Sequence, residues 1–145
     1  TFEEAVKIPF IISSPNHIKN KTTASFTELV DVYPTLCNIA NIEAPSYLQG
    51  ESLIPVLENP STILKTEVYT RYKQGEAVID KDFSYTEFYE GEKYLGNMLY
   101  DNLNDYKQNT DISNLSSNKL VVKKYKEKLK VMREKVNKDP FQDYK

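Results

Sequence analysis

Residues 65–101 read KTEVYTRYKQGEAVIDKDFSYTEFYEGEKYLGNMLYD. Within this stretch, TEVYTRYK, EAVID, FSYTEFYE and YLGNMLYD are short runs rich in β-branched and aromatic residues, parted at Gly75, Asp82 and Gly91. Such residues fit a pleated, half-buried surface, and Gly or Asp between the runs supplies the turns. The stretch therefore predicts an antiparallel meander of about four strands, a usual sheet size. The chain holds 11 Tyr and 6 Phe but no Trp. That tyrosine excess suits such a sheet, where the ring packs and the hydroxyl stays in water.

Downstream comes a polar loop over 102–118, followed by Val121, Tyr125, Leu129, Met132 and Val136 on one helical stripe. Asp139-Pro140 is expected to end that helix. One helix lying on one face of a small antiparallel sheet is a stable α+β layer. Upstream, Ile8 to Ser13 in VKIPFIISSPN reads as a strand buried on both faces. Such a strand implies a larger sheet, which nothing else in the chain obviously supplies.

The segment LVDVYPTLCNIANIEAP, Leu29–Pro45, places Pro34 inside an otherwise helical pattern. A start at Ser25 with Glu28 as capping box leaves Pro34 in the helix interior, at a cost of about 3 kcal/mol. A start at Asp31 puts it in the first turn, where its missing N–H is not needed. The second start is preferred; Leu29 and Val30 then arrive extended, and Leu36, Ile39 and Ala40 face the core. Gly50 and Pro55 repeat the device in a short helix through Leu57, ended by Asn59-Pro60.

Composition narrows the class. With 39% hydrophobic and 28% charged residues over 145 positions, the chain can bury a core and is neither disordered nor membrane-like. No apolar run reaches the ~18 residues of a membrane span. Cys37 is the sole cysteine, so no internal disulfide forms, and its helical setting reads as core rather than nucleophile. The net charge is −2, yet Asn118–Lys145 carries 10 Lys and Arg against 4 Asp and Glu. That balance suits either a polyanion footprint or a lysine-coated solvent face. The even apolar spacing favours the solvent face, and no nucleic-acid partner is expected.

The catalytic inventory is poor. His17 is the only histidine and lies in a polar loop after the apolar run. One Cys and one His leave no zinc spacing. DNLNDYKQNTD, Asp101–Asp111, has a calcium-loop composition but lacks the central Gly and terminal Glu of an EF-hand. It reads as a turn-rich connector. Other carboxylates, among them Glu43, Glu51, Glu87 and Glu90, cannot be paired for acid–base work from sequence alone.

Three stretches carry a more specific signal. ELVDVYPTLCNIANIEAPSYLQGESLIPVLENP (Glu28–Pro60) resembles a segment near the C-terminal end of the sulfatase catalytic domain. Its marks are Val-Asp-hydrophobic-aromatic-Pro-Thr-Leu, an apolar helix, then Leu-x-Gly-x-Ser-Leu. GEAVIDKDFSYTEFYEGEKYLGNMLYDNLNDYKQNTDI (Gly75–Ile112) is similar to the family's C-terminal subdomain. TFEEAVKIPFIISSP, with Phe2, Glu3, Ala5 and Pro9, resembles its aromatic-Glu-x-Ala strand. The YTEF and MLYD forms lean towards the iduronate 2-sulfatase-like branch, which acts on sulfated polysaccharides. The connector departs from the family pattern at Tyr106, Gln108 and Asp111, changes expected to weaken a surface turn.

The resemblance implies an α/β fold, α+β as a fragment. Residues 1–62 are expected to end a large mixed-sheet catalytic domain, and 63–145 to form a small antiparallel sheet with its helix. It implies a sulfuric ester hydrolase with a formylglycine nucleophile and calcium, exported to the periplasm, the medium or a lysosome. The Cys/Ser-x-Pro-x-Arg nucleophile motif, the calcium ligands and Asp-His-Gly have no counterpart here; Cys37 is followed by Asn-Ile-Ala. No catalytic or metal residue is therefore assigned to this chain, and calcium is expected only in the complete enzyme. The chain starts at Thr1 rather than Met and is expected to be a fragment or a processed product, inactive alone. Its expected partners are a sulfated carbohydrate and the missing N-terminal portion. His17 and Arg71 are the two candidate substrate contacts, because Arg suits bidentate recognition of an oxyanion. The alternatives are a non-catalytic polyanion- or protein-binding module and a related phosphodiesterase or phosphonate hydrolase.

Overall fold

The computed structural model describes residues 2–137 and divides into two compact units. One comprises Thr1–Pro9 with Glu67–Lys135, the other Phe10–Thr66 with Val136–Lys145. The chain is mixed α/β, with four antiparallel strands plus helices.

The first unit is the meander and its helix. After a single helical turn, α1 (Glu3–Val6), come β1 (Glu67–Tyr72), β2 (Gly75–Asp80), β3 (Phe83–Glu90) and β4 (Lys93–Asp101). They pair antiparallel in the order β1-β2-β3-β4. The turns fall at Lys73–Gln74, Lys81–Asp82 and Gly91–Glu92, so Asp82 and Gly91 break the runs as expected while Gly75 is the first residue of β2, paired with Tyr72; a bulge lies at Phe88/Tyr89. A later helix, numbered α4 here (Lys119–Val136), lays Tyr125 and Leu129 onto the sheet.

Register explains why they fit. Tyr69, Val78, Tyr85 and Leu99 are cross-strand partners in one row, and they form the core with Tyr125 and Leu129. Because side chains alternate, the rows on either side share the same face. One flanking row holds Arg71, Glu76 and Glu87; the other holds Glu67 and Asp80. Asp80 lies four residues from Glu76 along β2, about 13 Å at strand rise. Tyr125 and Arg133 are eight residues apart on α4, about 12 Å at helix rise. The helix therefore meets both charged rows while Leu129 fills the centre. Ala77, Ile79, Ser84, Thr86 and Tyr100 are buried on the opposite side, with Phe2 against the Tyr100 ring at 5.7 Å.

The second unit contains α2 (Val32–Ile39) and α3 (Ile54–Glu58). Asp31 is the N-cap of α2 and Pro34 its third residue, so the proline stands in the first turn as expected. Leu29–Asp31 is not extended but forms a 3₁₀ turn, in which the Asp31 N–H donates to Glu28 O at 3.0 Å. Pro55 is the second residue of α3, and Asn59 caps its end.

Three further expectations are corrected. Leu36 is 56% exposed and Ile39 and Ala40 also face outward, while Pro34, Thr35 and Cys37 are buried. The inward face of α2 is fixed by Asp31 and Thr35, whose polar partners lie across the unit. Ile8–Ser13 forms no strand: Ile8 is 51% and Ile11 89% exposed, and no described strand pairs with this segment. A strand without an adjacent ladder has no partner for its backbone groups. The core tyrosines are not wet-tipped either, since Tyr85 and Tyr125 are buried to the hydroxyl and donate to carboxylates. The Asp139-Pro140 stop lies outside the described residues.

Candidate functional site

On the sheet unit, the row of Arg71, Glu76 and Glu87 opens into a cleft of about 400 Å³. It lies beside the β1–β2 and β3–β4 turns. Arg71, Lys73 and Arg133 line it against Glu76, Glu90 and Glu92, with the Tyr89 ring as its aromatic wall. Arg133 Nε donates to Glu76, and its Nη2 donates to Glu87 at 3.0 Å. The Arg133 guanidinium lies 4.9 Å from the Tyr89 ring centre. Burial opposes the charge of Arg133, but hydrogen bonds to both carboxylates outweigh it and hold the pKa above its ordinary value.

Glu87 also accepts from Tyr85 at 3.0 Å and from Tyr89 at 2.8 Å, so each oxygen of this buried carboxylate is held. Desolvation and the neighbouring Glu87 charge push the Tyr85 hydroxyl well up. Arg71 differs. Its Nε lies 3.5 Å from Glu76, but the side chain is 56% exposed in the cleft mouth. Three cations and three carboxylates line the cleft, so their charges balance.

The opposite charged row is structural. Tyr125 donates to both oxygens of Asp80, at 2.7 and 2.6 Å, while Lys128 bridges Asp80 and Glu67. Burial works against the Asp80 charge, yet the bonds from Tyr125, Lys128 and the Phe83 and Asp82 N–H groups hold its pKa below the usual carboxylate range.

In the second unit the family-like motif residues meet. Asp31, 0% exposed, accepts from Glu28 N and Glu51 N, both at 2.8 Å, and from Lys65 Nζ at 2.6 Å. Thr35 Oγ1 donates to Asp31 O and accepts from Leu53 N at 2.9 Å. Gly50 passes so close that an added Cβ would stand 2.0 Å from Val30 O. The Val-Asp-x-x-Pro-Thr and Gly-x-Ser-Leu stretches are thus two sides of one latch, in which the Asp31 and Thr35 side chains accept from Glu51 N and Leu53 N and Gly50 lies against the Val30 backbone. Lys65 closes it from a distance in sequence. Burial opposes its charge, but hydrogen bonds to Asp31 and Glu28 leave its pKa raised.

His17 stands in a loop of the same unit with Nδ1 2.8 Å from Ser14 Oγ. Cys37 is buried and free. The carboxylates of the acidic connector accept from nearby backbone: Asp101 from Leu103 N and Asn104 N, Asp105 from Thr110 N, and Asp111 from Leu99 N of β4 and Ser113 N. Of the three departures from the family pattern, Gln108 is buried and donates to Ser84 Oγ at 2.7 Å, Asp111 accepts the two bonds just given, and Tyr106 is exposed. Among the described residues no three of His, Cys, Asp or Glu gather where a metal ion could be held. No described helix is long and apolar enough to cross a membrane.

Arg133, Tyr89 and the latch lysine Lys65 were not legible as site residues. The only hint was one arginine among the lysines of α4, four residues after Leu129.

A family described as "N-sulphoglucosamine sulphohydrolase, C-terminal" matches residues 1–135. An N-acetylglucosamine-6-O-sulfatase of Bacteroides thetaiotaomicron is 36% identical over 101 residues, covering 61% of this chain and 18% of its own length. Arylsulfatase K of Mus musculus is 38% identical over 60 residues, covering 41% of this chain and 11% of its own. The chain thus spans less than a fifth of either relative. Two solved structures share the fold. One, in complex with its substrate D-glucosamine-2-N,6-O-disulfate, has a TM-score of 0.67 at 24% identity over 77% of this chain and 25% of its own. The other, a phosphonate monoester hydrolase from Silicibacter pomeroyi, has a TM-score of 0.78 at 14% identity over 90% and 29%. With the sulfatase-like motifs joined in one latch and residues 1–135 matched, the chain belongs to the N-sulphoglucosamine sulphohydrolase C-terminal family.

Proposed function

We propose that this chain is the C-terminal part of a sulfuric ester hydrolase acting on sulfated polysaccharide or glycosaminoglycan-type substrates, with its catalytic centre outside these residues. The observation that carries the reading is the family match over 1–135, together with relatives named as sulfatases that are more than five times longer than the shared segment. The local chemistry agrees. Asp31, Asp80 and Glu87 are each held by several donors, and the His17 ring lies in a loop against the Ser14 hydroxyl. None of these groups stands ready as nucleophile, base or acid.

On this reading the formylglycine nucleophile and calcium come from the remainder of the protein. The chain contributes packing and one wall of the substrate cleft. Arg71 is the better supported substrate contact, because its exposed guanidinium borders an open cleft beside Tyr89. His17 is the second, on its own unit. Export belongs to the same proposal, since polysaccharide of this kind is met outside the cytoplasm; cell fractionation checks it.

The test is sulfate release from a sulfated oligosaccharide, measured by ion chromatography on the longer polypeptide and on the 145-residue chain. The longer protein is expected to release sulfate and the chain alone to release none, even with calcium. In the same assay Arg71→Ala should raise KM severalfold with little change in kcat; an unchanged KM removes Arg71 from the site. Turnover by the chain alone would overturn the reading. Hydrolysis of a phosphonate monoester with no sulfate release would favour the phosphonate hydrolase alternative.

A further inference from the structure

The basic face of α4 has an order that its composition did not disclose. Lys119, Lys123, Lys126 and Lys130 recur at intervals of four, three and four residues, and the next step of three reaches Arg133. At 1.5 Å per residue this is a continuous row about 21 Å long on one side of the helix. All four lysines are exposed. The ion pairs of α4 are made by Lys128 and Arg133, which reach inward to the sheet carboxylates; among the described residues none of the four lysines makes one. Glu127 and Glu134 are the acidic residues of the helix, so the positive charge is not cancelled along its length.

The row does not end in empty surface. Arg133 lines the cleft, and its guanidinium lies on the Tyr89 ring. Tyr89 meets Tyr94 edge-on at 5.5 Å, and Lys126 Nζ stands 5.6 Å over the Tyr94 ring. Tyr94 is 45% exposed. A path of alternating aromatic faces and cations therefore joins the cleft to the lysine row. Aromatic faces accept sugar rings, and evenly spaced ammonium groups match a linear chain bearing periodic negative charge. The match is local, because the chain as a whole carries −2 and bulk charge would repel a polyanion.

We propose that this row is a track for a sulfated polysaccharide, which holds the polymer along α4 beyond the residue seated in the cleft. The choice of occupant rests on the sulfated-substrate reading; the track itself rests on the geometry of α4 and Tyr94. Such a track would favour long chains over short ones and weaken steeply with salt.

The test is equilibrium binding of the 145-residue chain to heparin, with fully desulfated heparin and single-stranded DNA of equal length as comparisons. Heparin is expected to bind with an affinity that falls as salt rises, and desulfated heparin is not. The K119Q/K123Q/K126Q/K130Q variant should lose at least tenfold. K19Q/K21Q/K81Q/K107Q, which removes the same charge elsewhere, should stay within twofold. Replacing the four track lysines by arginine should preserve binding, and equal thermal melts of all variants show that folding is intact. Equal weakening of the two glutamine variants, or no heparin binding at low salt, would overturn the track. DNA binding as tight as heparin and equally dependent on the four lysines would overturn the sulfated occupant. The assay needs no catalysis, so its failure leaves the hydrolase reading untouched, and absent sulfate release leaves the track untouched.

Discussion

Gly50→Ala is expected to unfold the Phe10–Thr66 unit. The added Cβ would lie 2.0 Å from Val30 O, 2.4 Å from Val30 C and 2.9 Å from Asp31 N. These are backbone atoms, so no rotamer change relieves the contact. The strand of chain carrying Gly50 would have to retreat and take Glu51 N away from Asp31. Overpacking commonly costs about 1–3 kcal/mol, and a clash with fixed backbone that also breaks the part-buried Glu51–Asp31 hydrogen bond belongs above that range, at more than about 3 kcal/mol. Gly91→Ala is the comparison: its φ is +60° but nothing lies within 4 Å, so only about 1 kcal/mol of backbone strain is expected. Urea unfolding followed by circular dichroism, with amide exchange to separate the two units, measures both. A Gly50→Ala chain as stable as wild type would show that the approach to Val30 is not required.

Asp31→Ala should cost nearly as much by a different route. It removes the carboxylate that holds Lys65 and leaves the Glu28 and Glu51 N–H groups without their acceptor. Breaking a buried pair from one side costs about 3–5 kcal/mol, because the remaining charge stays in the interior. Glu28 still reaches Lys65 at 2.7 Å and moderates the loss. Asp31→Ala/Lys65→Met should recover part of the stability, since the stranded charge is gone, but not all, since the orphaned N–H groups remain. A double variant no more stable than the single one would show that Lys65 is not what Asp31 serves.

The meander and α4 were legible because both follow a period. Asp82 and Gly91 punctuate runs of strand-forming residues, Gly75 follows the Lys73–Gln74 turn, and the Tyr125-Leu129 stripe recurs at helical spacing. Pro34 was legible because a missing N–H is tolerated only in a first turn, and Asp31 stood three residues before it. What failed was the choice of inward face. The apolar pattern of α2 pointed to Leu36, Ile39 and Ala40, but the latch turns Thr35 inward to Leu53 N, 18 residues away, and Asp31 to Lys65, 34 residues away. The charged rows of the sheet were hidden for the same reason, since Arg133 meets Glu87 and Glu76 across 46 and 57 residues. Local pattern reports that a face is apolar; it does not report which polar group finds a distant partner.

The exposed apolar segment at Ile8–Ile12 bears most directly on the claim that this chain is one part of a larger hydrolase fold. Its residues read as a doubly buried strand, yet they make no strand here, and Ile8, Phe10 and Ile11 are exposed while Ile12 is half-buried. Amide hydrogen exchange of Ile8, Phe10, Ile11 and Ile12 should be compared between the 145-residue chain and the longer polypeptide. Fast exchange is expected in the chain alone, and at least hundredfold protection in the longer protein, where the segment would join a sheet. Equally fast exchange in both would contradict it.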